Sequence, residues 1–334
     1  MNETVAPPLT RSDLEQTSSR LAPFIIRTPT LKQSIAPLST FYPDTEFYFK
    51  YELFQLAGTF KSRGVLNNLL GQNEKPKGVT AASAGNHAIA VAIVARQLGL
   101  KAHVAMQQSA NPLRVNLTRE AGATIDIMPT GKETFARAEQ ISAEKGYQFV
   151  HPFDGPAVTQ AAAGITQEIF EDVGPLDALF VAVGGGGLSG GVSAGAALLA
   201  PDCAVYGVEP NGAPSMHKSF AAGHAVTLET VSTVADSLGP PMTTPYCYEV
   251  NRANLFALMS VTDREICHAM RIMCDTMHLA VEPAAATSLA GLMAHASELA
   301  PILEGKKVGV IICGSNIDYP SFRALVDSDC AVSG

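Results

Sequence analysis

Short apolar runs alternate with helical patterns along most of this 334-residue chain, and that alternation limits its fold more than any other feature. The runs cover residues 45–53, 78–81, 102–106, 124–128, 178–183, 204–208 and 308–313. They are rich in β-branched residues, as strands buried on both faces tend to be. Helical patterns at 86–98, 110–121 and 130–145 fall between them. Strand and helix in alternation predict a parallel, doubly wound α/β architecture. Turn-forming residues cluster near 72–78 and again at 151–156. The expected organisation is therefore a small inserted α/β domain over residues 79–152. Residues 1–78 and 153–334 then join as a large domain, with a ligand cleft between the two.

Composition narrows the possible partners. Hydrophobic residues make up 47% of the chain and charged residues 16%, the profile of a compact enzyme. The net charge of -8 comes with no block of lysines or arginines, which argues against a nucleic-acid partner. The apolar stretch 178–200 is broken by four consecutive glycines and Ser189, so it reads as strand, loop and helix rather than a membrane span. The first 25 residues carry Arg11, Asp13, Glu15 and Arg20 with no apolar block, unlike a secretory signal. Six cysteines show no framework spacing, so free thiols in a reducing cytoplasm are expected.

Chemistry concentrates in a few segments. The strand-like run 178–183 ends in Gly184, Gly185, Gly186 and Gly187, followed by Leu188, Ser189 and a small-residue helix. Glycines let backbone N–H groups converge, and the helix N-terminus adds a positive dipole end, so this turn suits a phosphate. The same stretch contains GxGxxG at Gly185, Gly187 and Gly190, with Glu209 about 20 residues on, as in a dinucleotide-binding fold. A nicotinamide dehydrogenase is thus one reading. It does not account for Phe60-Lys61-Ser62-Arg63-Gly64, Ser83-Ala84-Gly85-Asn86-His87 or Cys313-Gly314-Ser315-Asn316. Those segments suit an aldehyde cofactor, with a lysine to bond the carbonyl and polar groups around its ring.

These segments, with Glu282-Pro283-Ala284, stand in an order that resembles the serine/threonine dehydratase group of fold-type II pyridoxal-phosphate enzymes. That group includes threonine ammonia-lyases and serine racemases, and the resemblance runs from about Pro29 to Asp318. It implies a tryptophan synthase β-like fold of two doubly wound α/β domains, with the cofactor in the cleft between them. It also implies that Lys61 bonds pyridoxal 5'-phosphate beside Phe60 and, once freed, takes the substrate's α-proton. By the same resemblance Asn86 contacts the ring hydroxyl, Gly184 to Leu188 donate to the phosphate, and Glu282 belongs to the cofactor pocket. Cys313 would face the pyridine nitrogen. A neutral thiol does not hold that nitrogen protonated, which favours β-elimination over transamination. The substrate carboxylate would lie at Ser83, Ala84, Asn86 and His87, where a helix N-terminus suits an anion; an ordinary N-cap from Ser83 or Asn86 is the plainer reading. His87 itself is expected to be packed rather than a general base.

The implied activity is a lyase that converts a small β-hydroxy-α-amino acid into a 2-keto acid and ammonia, in a cytoplasmic homodimer. Serine, threonine, 3-hydroxyaspartate and aryl-serines all remain open as substrates. Three departures from the group matter. Ala84 stands where racemases carry a second serine, which disfavours racemisation. Ala161-Ala162-Ala163-Gly164 replaces a Gly-Gln-Gly-Thr segment expected ahead of a helix that ends in Glu168-Ile169, and so weakens the usual serine/threonine preference. A divalent cation (Mg or Ca) is implied at Glu209, Ala213 and Ser215, yet Ser215 replaces the expected carboxylate and is a poor ligand for a hard ion. The loop 235–241 is expected at the substrate entrance, and Met270, Met273 and Met277 in the core.

Overall fold

The computed structural model describes residues 8–327. Its strands are β1 (Thr30–Lys32), β2 (Glu46–Lys50), β3 (Gly78–Ala82), β4 (Lys101–Gln107), β5 (Thr124–Met128), β6 (Gln148–Phe149), β7 (Ala178–Ala182), β8 (Ala204–Pro210), β9 (Ala257–Val261) and β10 (Lys307–Ile311). One sheet has the order β1-β2-β10-β7-β8-β9, and the other β5-β4-β3-β6. All pairings are parallel except β1 with β2. The doubly wound α/β expectation therefore holds, with an antiparallel edge strand added.

All seven predicted runs lie on strands, and β1, β6 and β9 were not anticipated. The first two are only three and two residues long, too short to show a period. The centre of the large sheet is buried on both faces: every residue of β7 is buried, and Phe180 stacks on Tyr206 of β8 at 4.8 Å. Helix Asp263–Met277 starts with a Thr262/Glu265 capping box and buries Met270, Met273 and Met277 as expected.

Two differences bear on the site. Residues 161–164 do not precede a helix; they lie inside helix Pro156–Val173. Their small side chains let helix Gly187–Leu199 come very close, since a Cβ added at Gly191 would sit 2.4 Å from that of Ala162. Cys203, Cys247, Cys274 and Cys313 are free, but Cys267 is disulfide-bonded, against expectation. Cys330 lies outside the described residues.

Candidate active site

The chain reaches Lys61 through a strained turn. Ala57 and Gly58 both take positive φ (65° and 64°), and Asn316 Nδ2 holds the Ala57 carbonyl at 2.8 Å. The end of β10 is stitched alongside: Phe60 N donates to Cys313 O (3.1 Å), and Ser315 N donates to Gly58 O (3.0 Å). Lys61 thus opens helix Lys61–Leu70 next to buried Cys313. Its Nζ donates to the Pro152 carbonyl at 2.6 Å and sits 5.0 Å from the centre of the Phe60 ring. Dense surrounding protein pushes its pKa down to about 8, although Cys313, Cys247 and Glu282 pull the other way. Burial, rather than neighbouring cations, is what makes a neutral amine accessible here. The Cys313 thiol is pushed up by its own burial and stays protonated.

The segment that meets the lysine also carries the glycine loop. Residue 153 follows Pro152 directly, and a Cβ added at Gly187 would lie 2.4 Å from Phe153 O. One at Gly185 would lie 2.5 Å from the Phe153 ring, and one at Gly184 would lie 3.0 Å from Leu238 Cα. Gly186 has φ +95°, a left-handed conformation that side chains resist. Only glycines can pass through this gap. The loop is then fixed from behind: Asn251 Nδ2 donates to Gly186 O (2.8 Å), Ser189 Oγ donates to Asn251 Oδ1 (2.6 Å), and Thr243 Oγ1 donates to Gly185 O (3.0 Å). Leu188 falls in the first turn of helix Gly187–Leu199, where backbone N–H groups lack helical partners. This glycine turn is joined through Phe153 to Pro152, whose carbonyl accepts from Lys61.

The segment 83–87 behaves differently from an ordinary cap. Helix Asn86–Gln97 begins after Gly85 and has no side-chain cap. Ser83 Oγ instead accepts from Gly85 N (3.1 Å). The Asn86 carboxamide is drawn elsewhere: its Nδ2 donates to Glu282 Oε1 (2.6 Å), and its Oδ1 accepts from Asn316 Nδ2 (2.7 Å). The helix N-terminus at Ser83 to His87 therefore has no side-chain cap of its own. His87 Nε2 meets the Val150 carbonyl at 2.8 Å, and burial, with Lys61 nearby, lowers its pKa to about 3. It is a packed neutral imidazole, as expected.

Long-range partners missed by the sequence reading complete the site. Arg114 joins segments far apart in the chain, donating to Asp236 Oδ2 (2.6 Å), Glu282 Oε2 (3.1 Å) and Asn316 O (3.0 Å). Loop 235–241 does border this region, with Ser237 Oγ donating to Glu282 Oε2 at 3.4 Å. Burial raises the pKa of Glu282, with Arg114 opposing. Arg63 lies in a buried ion network with Glu52, Glu168 and Lys50. A charged residue inside an apolar run, such as Lys50 or Arg63, is the signal that could have revealed it.

Glu209 fits neither role considered for it. It is buried and accepts from Met216 N (2.8 Å), His217 N (3.0 Å), His217 Nδ1 (2.8 Å) and Ser215 Oγ (3.4 Å). The Ala213 carbonyl accepts from Ser215 N (3.0 Å). Glu209, Ala213 and Ser215 are thus turned on one another and on helix Ser215–Ala222, not onto a shared ion. Among the described residues no group of three or more His, Cys, Asp or Glu could hold a metal. Nor is a carboxylate free for a ribose hydroxyl, so the dinucleotide reading fails on its own marker residue.

A half-buried lysine of lowered pKa, a glycine loop at a helix N-terminus and a buried, protonated thiol suit an aldehyde cofactor of the pyridoxal phosphate type. Residues 21–314 match the family described as "Pyridoxal-phosphate dependent enzyme", and the chain belongs to that family, in its serine/threonine dehydratase group. The chain is 43% identical to "Phenylserine dehydratase" of Ralstonia pickettii over 307 residues, which are 91% of this chain and 92% of that one. It is 34% identical to "L-threo-3-hydroxyaspartate ammonia-lyase" of Saccharomyces cerevisiae, with 95% and 96% covered. The solved structure of maize serine racemase superposes with a TM-score of 0.88 at 27% identity, with 96% and 98% covered.

Proposed function

We propose that this protein is a pyridoxal-phosphate-dependent ammonia-lyase acting on β-hydroxy-α-amino acids, with its reaction in the cleft between residues 79–152 and the rest of the chain. The observation that carries this reading is Lys61, a lysine of depressed pKa beside a neutral thiol, bonded to Pro152 next to the Phe153 that packs on the glycine loop. When bound, the cofactor withdraws electrons from the α-carbon of the amino acid joined to its aldehyde. Gly184, Gly185, Gly186, Gly187 and Leu188 hold the phosphate through backbone N–H groups. Asn86, fixed at both ends of its carboxamide, addresses the ring hydroxyl. Ser83, with the backbone of Ala84, Asn86 and His87, takes the substrate carboxylate at the start of helix Asn86–Gln97.

Lys61, whose pKa is lowered to about 8 so that a fraction is free amine at neutral pH, removes the proton on the α-carbon. The β-hydroxyl departs as water. Hydrolysis of the remaining enamine uses one water and gives a keto acid and ammonia. Cys313 keeps its proton and so does not stabilise a lasting carbanion, which favours loss of the β-group. Ala84 has no proton to deliver to the opposite face, so racemisation is disfavoured. Relatives named for phenylserine and for 3-hydroxyaspartate both fit this reaction class.

Among the described residues no helix is long and apolar enough to cross a membrane. A homodimer completes the reading, supported by exposed Ile26, Leu31 and Phe54 on neighbouring segments. The test is ammonia and keto-acid release by the cofactor-loaded protein, with borohydride trapping and peptide mapping of the modified lysine. Label fixed at a lysine other than Lys61, or full activity in Lys61→Ala, would reject the assignment.

A further inference from the structure

We propose that the substrate's β-carbon substituent enters a subsite walled by Phe135, Phe149 and His151, and that an aromatic substituent is its preferred occupant. This rests on the lyase reading above and adds the class of amino acid.

The three rings form a closed triangle. His151 lies 5.9 Å from Phe135 and 6.2 Å from Phe149, and those two are 6.3 Å apart, all between ring centres. Phe153 stacks edge-on to His151 at 4.7 Å and ties the group to the glycine loop. Phe135, Phe149 and His151 each keep part of their surface open, whereas core aromatics such as Phe49 and Phe180 are fully buried. Phe135 and Phe149 rest on Ala82, Ala105 and Ala138, a floor of small side chains.

Its position matches what a substrate would need. Ala82 ends β3 immediately before Ser83, the candidate carboxylate anchor. At the other end, His151 and Pro152 line one cavity with Lys61, and Pro152 O is the acceptor of the lysine's Nζ. An α-carbon held between Ser83 and Lys61 therefore has these rings as neighbours for its side chain. Edge-to-face contact with a phenyl group suits their tilted arrangement.

A substituent carboxylate would need a cation, and those placed in the site above have other commitments, while Lys132, one turn before Phe135, lies exposed at the surface. Arg63 is bidentate to Glu52 and to Glu168, Arg114 is bound to Asp236 and Glu282, and Lys61 is the reacting group. His151 offers no positive charge either: its Nδ1 accepts from Asp154 N (2.9 Å) and Phe153 N (3.3 Å), as a neutral ring does. Burial lowers its pKa to about 4, in keeping with that geometry.

The experiment compares kcat/KM of the holoenzyme for L-threo-phenylserine, L-threonine, L-serine and L-threo-3-hydroxyaspartate, in wild type, Phe135→Ala and Phe135→Leu. We expect phenylserine to lead by roughly tenfold or more, a ratio that burying a phenyl ring readily supplies. Phe135→Ala should lower the phenylserine value at least about fivefold more than the threonine value, mainly through KM, with Phe135→Leu between. A separate readout avoids turnover: titrating the visible spectrum with L-phenylalanine should give half-saturation well below that for L-alanine. Preference for threonine, serine or 3-hydroxyaspartate overturns this proposal alone, as does a parallel loss on all substrates in Phe135→Ala. Ammonia from none of the four overturns the lyase reading, and this proposal with it.

Discussion

Replacing Arg63 with methionine should destabilise the protein by about 3–5 kcal/mol, because it strands a buried charge. Four groups form the network behind helix Lys61–Leu70. Arg63 Nε and Nη2 donate to the two oxygens of Glu52, both at 2.8 Å. Its Nη1 and Nη2 donate to the two oxygens of Glu168 at 2.7 and 2.8 Å. Lys50 Nζ meets Glu168 at 2.6 Å and the Thr28 carbonyl at 2.7 Å. Two cations therefore balance two carboxylates, all of them buried. Arg63→Met leaves Lys50 alone against Glu52 and Glu168, one uncompensated negative charge away from water. Methionine keeps most of the stem's packing, so the loss is chiefly electrostatic.

Thermal melting of the holoenzyme should show the effect. At roughly 2 °C per kcal/mol for a chain of this size, the midpoint falls by about 6–10 °C. Adding Glu168→Gln to Arg63→Met restores one cation against one carboxylate and should recover part of the loss, a coupling the double-mutant cycle isolates. The same network sets an acid limit. Burial alone would raise the pKa of Glu168, but Arg63 and Lys50 more than offset it, so the folded-state value lies below the ordinary 4.5. A depressed carboxylate contributes stability that is present above the unfolded value and is lost as pH falls through the folded one. Melting midpoints should therefore decline below about pH 4.5, and less steeply in Glu168→Gln. An Arg63→Met protein within about 1 kcal/mol of wild type, or a double variant no better than the single, would refute the reasoning.

Arg114→Met should lower kcat/KM by about ten- to a hundredfold, a loss of about 1.4–2.8 kcal/mol in the transition state, with Arg114→Lys intermediate. Because Arg114 reaches Asn86 through Glu282, the bound cofactor's visible spectrum should shift as well, and an unchanged spectrum would limit Arg114 to a structural role. Dialysis against a chelator, followed by Mg or Ca, should leave both activity and melting temperature unchanged, since Glu209 is already engaged by four donors; a midpoint that rises by several degrees with either ion would show that those donors yield to it. Gly85→Ala should weaken the enzyme, because a Cβ there would lie 3.0 Å from Arg114 Nη1; steady-state KM for the amino acid is the measurement, and a rise is expected.

What could be read from the sequence follows the distance over which each feature is specified. Strands β2, β7, β8 and β10 of the large sheet were visible because each is a short, largely buried apolar run, whereas β9 is only half-buried and was missed. Gly184 to Gly187, Lys61 and Cys313 were visible because the geometry they require is local: a turn only glycine can take, and a lysine and thiol among small neighbours. Asn86 was misjudged as a possible cap for the same reason. A cap is a local hydrogen bond, whereas its actual partners, Glu282 and Asn316, lie 196 and 230 positions away. Glu168 was seen only as half of a Glu-Ile pair, and nothing near it in the chain indicates that Arg63, 105 residues earlier, needs its carboxylate. The alanines at 161–163 read as a lost specificity motif, yet in the fold they admit the glycine-rich helix that follows the glycine loop.

The long-range contacts also explain why so short a motif can carry so much chemistry. The surrounding protein, by desolvating the amine, is what lowers the Lys61 pKa to about 8. The turn before it does not close that space unaided, since Ala57 is held at positive φ at a steric cost. The helix after it is fixed by Arg63, the strand beside it by Phe60 and Cys313, and the opposite wall by Pro152. Arg114 and Asn86 both bond Glu282, which ties helix Pro112–Glu120 and the Ser83 to His87 turn to the start of helix Pro283–Ala294. The lysine's reactivity is therefore a property of contacts made from four separate parts of the chain. Substitutions in those contacts should change the titration of Lys61 before they change the fold.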